Sequence, residues 1–125
     1  MSAGRRELAP QRPGGLHDVS DDLQIIRPQG RLDSSSSPAL EKQALDIIDG
    51  GSRLMLIDFV DLQYISSAGL RAALAVAKRM HAAGGKLALC SLNPQIAEVF
   101  EISGVDTILD IHPSAESATA RLLGG

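Results

Sequence analysis

Two adjacent hydroxyls, Ser66 and Ser67, stand in the run Tyr64-Ile65-Ser66-Ser67-Ala68-Gly69-Leu70, between a short apolar stretch and a long amphipathic one. A serine at a helix start has two uses. Its oxygen can cap the helix by accepting from amides two or three residues on, with Gly69 letting a neighbour pack close. It can instead carry a phosphate, which would meet the free amides and the positive end of the helix. That phosphate would add about −1.5 to −2 charges to a patch otherwise made of Ile65, Ala68, Gly69 and Leu70, spoiling a contact while sparing the fold. On the residues alone both uses stay open.

Other chemistry finds little support. His17, His81 and His112 fall in the first strand, near the end of the long helix and after the last strand, with no pair at the i, i+4 spacing of a helical metal site. His81 reads as a helix-end cation. Gly84-Gly85-Lys86 lacks the earlier glycine and the following Ser or Thr of a phosphate loop, and it precedes a strand where such a loop must open a helix. It reads as a helix stop. Cys90 lies in an apolar strand with no basic neighbour in sequence, as a small core side chain does. Ser67 lacks the Gly-x-Ser-x-Gly elbow of hydrolases. The expectation is a protein without catalytic residues, metal or cofactor.

The 125 residues suffice for one domain and one core. Hydrophobic residues make up 44% and charged residues 22%, which fits a folded globule. The net charge is −3; with Arg5, Arg6, Glu7 and Arg12 set aside, 9 basic and 14 acidic residues remain, a balance of −5. Such a domain does not attract a phosphate backbone, and Phe59, Tyr64 and Phe100 are too few for a base-stacking platform, so nucleic acid is not expected as a partner. A lone cysteine excludes an internal disulfide and suits a reducing compartment. No apolar run reaches the roughly 18 to 20 residues of a membrane span, and the charged N-terminus has no apolar segment behind it. A cytoplasmic protein without membrane association is expected, and a monomer, since no apolar stripe is left over.

Residues 1–14, with Pro10, Pro13 and Gly14, show no periodicity and read as a flexible tail, with the domain over 15–125. Leu16–Val19 and Leu23–Gln29 flank Ser20-Asp21-Asp22, which suggests a β-hairpin. Ser37 is placed to cap a helix opening at Pro38, with Leu40, Ala44, Ile47 and Ile48 at helical spacing before Gly50-Gly51. Leu54–Phe59 reads as a strand covered on both faces. A helix from about Ser67 to about Ala83 follows, with Leu70, Ala73, Leu74, Ala77 and Met80 on its inner face. Lys86–Ser91 is the next buried strand, completing a parallel βαβ unit with a right-handed crossover. Asn93-Pro94 opens a further helix carrying Ile96, Val99, Phe100 and Ile102, ended by Gly104; Thr107–Ile111 is a last strand and Ser114–Leu123 a last helix. The sum is an α/β sandwich, a mixed sheet of about five strands (the N-terminal hairpin plus parallel βαβ units) with about four helices.

Gly30-Arg31-Leu32-Asp33, Leu56-Ile57-Asp58-Phe59, Tyr64-Ile65-Ser66-Ser67-Ala68-Gly69-Leu70-Arg71, Gly84-Gly85-Lys86-Leu87 and Asn93-Pro94 resemble, in order and spacing, the STAS domain of anti-sigma factor antagonists. The resemblance runs over about residues 15 to 123. It implies a STAS-type sandwich in a partner-switching pathway. In such a pathway the unmodified protein binds a histidine-kinase-like, ATP-dependent serine kinase that doubles as an anti-sigma factor or similar regulator, and so frees that regulator's target. The kinase then phosphorylates the protein and the complex parts, and a serine phosphatase resets the cycle. Aligned through Gly69-Leu70, the family's phosphoacceptor falls on Ser67 and its acidic loop residue on Asp33, expected beside it at a neighbouring strand end. Ser66 stands where sporulation-type members carry an Asp, and it remains the second candidate acceptor. The implied partner surface comprises Asp33, Ser34, Ser66, Ala68, Gly69, Leu70 and Asn93. STAS domains also occur in transport and lipid-trafficking ATPase assemblies, so the alternative is a constitutive docking subunit in which the serine only caps the helix; nucleotide binding by the domain itself is a third option.

Overall fold

The computed structural model describes residues 23–124. The tail expected over 1–14, the domain start near 15, the hairpin partner Leu16–Val19 and His17 lie outside them. In chain order the elements are β1 (Leu23–Ile26), β2 (Gly30–Leu32), α1 (Ser37–Asp49), β3 (Leu54–Asp58), β4 (Leu62–Ile65), α2 (Ser67–Ala82), β5 (Lys86–Cys90), α3 (Pro94–Ser103), a 3-10 turn (Val105–Thr107), β6 (Asp110–His112) and α4 (Ala115–Gly124).

The main sheet has the order β1-β3-β5-β6, and its four strands run parallel. Period-2 alternation sends Met55, Ile57 and Leu89 to one face, where α1, α2 and α3 cover them. Leu56, Ala88 and Cys90 point to the other face, against Ala118 and Leu122 of α4. The strands read as continuous apolar runs because both faces are covered. On the three-helix face the Phe59 and Phe100 rings meet at 6.1 Å between centroids, tilted by 54°, a geometry worth about 0.5–1.5 kcal/mol beyond area burial.

Several expected boundaries shift. The first described strand ends at Ile26, two residues before Pro28, which has no N–H to continue a ladder. The last strand is β6, and Val105–Thr107 forms a 3-10 turn in its place, with Val105 buried. The buried stripe of α2 is Gly69, Ala72, Ala73, Val76 and Met80; Leu70, Leu74 and Ala77 are only half-buried. Small residues win the inward positions because α1 packs closely across α2. The Gly84-Gly85 stop is confirmed: Gly84 has φ +83°, and a Cβ on Gly85 would run into Met80 Sδ and the Arg53 carbonyl. None of the described helices is long and apolar enough to cross a membrane.

β3 ends on a buried carboxylate. Arg27 Nε donates to Asp58 Oδ2 at 3.0 Å and the Val60 amide to Oδ1 at 3.1 Å. Burial pushes the Asp58 carboxyl up, but Arg27 and the Val60 amide outweigh it and hold the group below its ordinary value of 3.8. The stabilisation is therefore complete above that value and is lost as pH falls through the folded pKa. Removing one partner of a buried charge leaves the other uncompensated, so Arg27→Ala should cost about 1–3 kcal/mol in urea unfolding at pH 7. The deficit should narrow below about pH 4, where Asp58 protonates in the unfolded chain; an equal deficit at neutral and acid pH would show that the pair is not coupled.

Candidate partner-binding site

The candidate surface is assembled by an element that left no clear mark in the sequence. β2 and β4 pair in parallel as a separate two-stranded sheet, with Leu32 opposite Ile65. Leu62 and Ile65 face inward and Gln63 and Tyr64 outward, and the register shifts between Gly30 and Arg31. A strand this short, buried at both ends, imitates a loop. Its effect is to bring the loop after Leu32 beside the first turn of α2.

Ser66 is the N-cap of α2, with extended backbone at φ −100° and ψ 177°. Its Oγ accepts weakly from the Gly69 amide at 3.4 Å and donates to the Leu32 carbonyl at 3.2 Å. Its own amide donates to that same carbonyl at 2.9 Å. Gly69 is buried directly beneath: a Cβ there would lie 2.8 Å from Leu32 O and 2.6 Å from Ile65 Cγ1, so the helix approaches β2 only because this residue is glycine.

Ser67 differs in every respect. It is exposed, and its hydroxyl makes no hydrogen bond among the described residues. The amides of the first helical turn have no intrahelical acceptor, and with Gly69 taken by Ser66, those of Ser67 and Ala68 stay free beside it. Arg71, one turn on, is exposed and has no ion pair among the described residues.

Asp33 lies immediately after β2, one residue past the Leu32 carbonyl that holds Ser66. Its Oδ1 accepts from the Ser35 hydroxyl at 2.7 Å, the Ser35 amide at 3.0 Å and the Ser36 amide at 3.2 Å. The hydrogen bonds of Ser35, then those of Ser36, lower its carboxyl to about 2. This turn also corrects the expected cap of α1. The N-cap position is Ser36, whose Oγ turns back to the Asp33 amide and the Arg31 carbonyl, while Ser37 is the first helical residue and its buried Oγ has no partner. The carboxylate of Asp33, three residues upstream, organises the helix start that Ser37 was expected to organise.

Ser34 and Ala68 line one groove of about 340 Å³ between α1 and α2, together with Pro38, Glu41, Arg71 and Ala75. Leu70 turns inward, half-buried against the core. Asn93 stands apart: its Oδ1 caps α3 at the Ile96 amide (2.8 Å) and its Nδ2 donates to the Leu62 carbonyl (3.2 Å), at the far end of β4 from Ser66. Four residues of strand separate the two by about 13 Å. Glu41 and Arg71 were not expected as lining residues, although Arg71 follows Ser67 at the i+4 spacing that puts both on one helix face.

The arrangement is a shallow surface with an exposed hydroxyl at a helix N-terminus, next to a groove that carries Ser34, Glu41 and the Arg71 guanidinium, which has no ion pair among the described residues. It suits recognition of another protein's surface and acceptance of a charged group at Ser67.

The comparisons with known proteins agree on the family. The STAS domain model matches residues 17–118. A protein of Bordetella bronchiseptica named as a candidate anti-sigma factor antagonist, BtrV, is 42% identical over 103 residues, spanning 82% of this chain and 89% of its own length. Among solved structures, a candidate anti-sigma factor antagonist from Thermotoga maritima superposes with a TM-score of 0.78 at 23% identity, covering 84% of this chain and 91% of the other. The Bacillus cell fate determinant SpoIIAA in its phosphorylated form does so with a TM-score of 0.64 at 23% identity, covering 84% and 95%. These two likenesses bear on the fold; the domain match and the BtrV identity establish that the chain belongs to the STAS domain family, among relatives named as anti-sigma factor antagonists.

Proposed function

We propose that this protein is an anti-sigma factor antagonist that works by partner switching, with Ser67 as the phosphorylated residue. In its unmodified form it binds a histidine-kinase-like serine kinase that acts as anti-sigma factor or an analogous regulator, through Asp33, Ser34 and the first turn of α2. Phosphate on Ser67 ends the contact, and a serine phosphatase restores it. The protein does this as a cytoplasmic monomer, without enzymatic activity of its own.

The observation that carries the reading is the contrast between the two serines. Ser66 is tied to Leu32 and Gly69, whereas the Ser67 hydroxyl is exposed and unengaged. A kinase can take Ser67 without undoing the fold, and the added charge lands in the middle of the proposed contact. Relatives named as antagonists, and a structural neighbour solved in a phosphorylated form, support the same mechanism.

Incubation with the cognate kinase and ATP should place phosphate on Ser67, read by phosphopeptide mass spectrometry. Phosphate on neither Ser66 nor Ser67 would sink the proposal. Ser67→Ala should bind the kinase stably and resist phosphorylation, while Ser67→Asp should bind at least tenfold more weakly, about 1.4 kcal/mol or more, by calorimetry. Equal affinity of the two variants would favour a constitutive docking subunit instead. Ser66→Ala removes the cap and should lower stability by about 1 kcal/mol in denaturant unfolding while leaving Ser67 phosphorylatable.

A further inference from the structure

A second recessed region lies at the opposite end of α2. Ser67 and His81 are separated by about 21 Å of helix at 1.5 Å per residue. There the last turns of α2, the start of β5, residues 108–110 and the end of α4 enclose two adjoining hollows of about 470 and 460 Å³ that share Ala77, His81 and Ile108. Each is within the range of small-molecule sites, about 300–1,000 Å³.

The chemistry of the cleft is divided. One end carries His81, Lys86 and Arg121, none of which forms an ion pair among the described residues. The same wall carries one carboxylate, Asp110, whose Oδ1 lies 2.9 Å from His112 Nε2. The last carbonyls of α2 do not claim these side chains either, because those of Arg79, Met80 and His81 accept from the amides of Ala83, Gly84 and Gly85. The other end is apolar, formed by Leu74, Ala77 and Ile108, with Lys78 on its rim. Ile108 is 70% exposed, a large aliphatic side chain left in water beside an apolar hollow.

Lys86 and Arg121, two cations without an ion pair among the described residues, stand with the His81 imidazole at one end of the cleft and favour an anionic occupant. A second copy of the same face would repel and does not complement the cleft. Along α2 the lining runs only from Leu74 to His81, about 10 Å. An amphipathic peptide with anchors at i, i+4 and i+7 would need that whole length apolar, and here one end is cationic.

We propose that this cleft binds a small amphiphilic anion, with a carboxylate or phosphate head against His81, Lys86 and Arg121 and an apolar body along Leu74, Ala77 and Ile108. The proposal is independent of the role of Ser67.

The test is a titration of the isotope-labelled full chain, followed by amide NMR shifts, with decyl phosphate and decanoate below their micelle concentrations. Inorganic phosphate and decyltrimethylammonium serve as separate arms. Saturable shifts should centre on Ala77, His81, Lys86 and Ile108, with the decyl anions binding at least about tenfold more tightly than inorganic phosphate or the decyl cation. The tighter of the two anions identifies the head group. A Lys86→Ala, Arg121→Ala double variant and Ile108→Ser alter exposed side chains, so melting temperature should hold while affinity falls at least about tenfold in the double variant and measurably in the single one. Absence of saturable shifts up to about 1 mM overturns the proposal. So do an equal response to the cation, undiminished affinity in the double variant, or binding only to anionic vesicles or to an acidic peptide.

Discussion

The carbonyl oxygen of Leu32 holds the candidate surface together. It accepts both the amide and the hydroxyl of Ser66, and so joins the end of β2 to the start of α2 across a sequence separation of 34 residues. A carbonyl has two lone pairs, and here both are aimed at one residue. Gly69 completes the arrangement, since any side chain at that position would meet the same oxygen. Because β2 and the loop after it are fixed to α2 by this oxygen, Ser34 shares a groove with Ala68 and Arg71 of the first turns of α2. The main sheet contributes to this only indirectly, by supporting β4 through the core.

The loop that Leu32 positions is itself rigid. Asp33 gathers the amides of Ser35 and Ser36 with one carboxylate oxygen, while the other lies 3.7 Å from Arg31, whose guanidinium sits 4.2 Å from the centre of the Tyr64 ring. Tyr64, Arg31, Asp33 and the serines therefore form a continuous polar line across the outer face of β4 and β2. With its carboxyl lowered to about 2, Asp33 remains charged throughout the physiological range. Loops that carry recognition are usually placed by a rigid scaffold; in this one the scaffold extends into the loop itself.

Most of the scaffold was legible in the sequence for physical reasons. Buried parallel strands announce themselves as continuous apolar runs, as β3 and β5 do, and helix ends announce themselves by caps, as Asn93-Pro94 and Gly104 do. What stayed hidden was decided by packing. β2 and β4 are too short for alternation to emerge: β2 has one buried residue of three, and β4 is buried only at its two ends. The inner face of α2 was expected on Leu70, Ala73, Leu74, Ala77 and Met80; Ala73 and Met80 are buried, but close contact with α1 puts Gly69, Ala72 and Val76 in the stripe where Leu70, Leu74 and Ala77 were expected. In a run of four serines no local rule distinguishes the cap, and the Asp33 carboxylate decides it. The site was therefore legible as a place, the start of α2 with Asp33 nearby. The groove shared by Ser34, Ala68, Glu41 and Arg71 depends on two helices packing, which periodicity does not record.

Under the partner-switching reading, the same hydrogen bonds bear on which serine a kinase would take. Phosphate on Ser66 would have to part its oxygen from Leu32 and Gly69, giving up a cap worth about 1 kcal/mol and loosening the junction that places Asp33. Phosphate on Ser67 would break nothing and would sit against free amides at the positive end of a 16-residue helix, an interaction worth about 0.3–1 kcal/mol when exposed. Both terms favour Ser67, and together they exceed RT. Phosphorylation there adds charge without disturbing the geometry, so the domain would keep its fold in both states and differ only in what its surface accepts. A switch of this kind needs no conformational change in the protein that carries it; the discrimination lies in the partner, which meets either a neutral hydroxyl or a dianion at the same position.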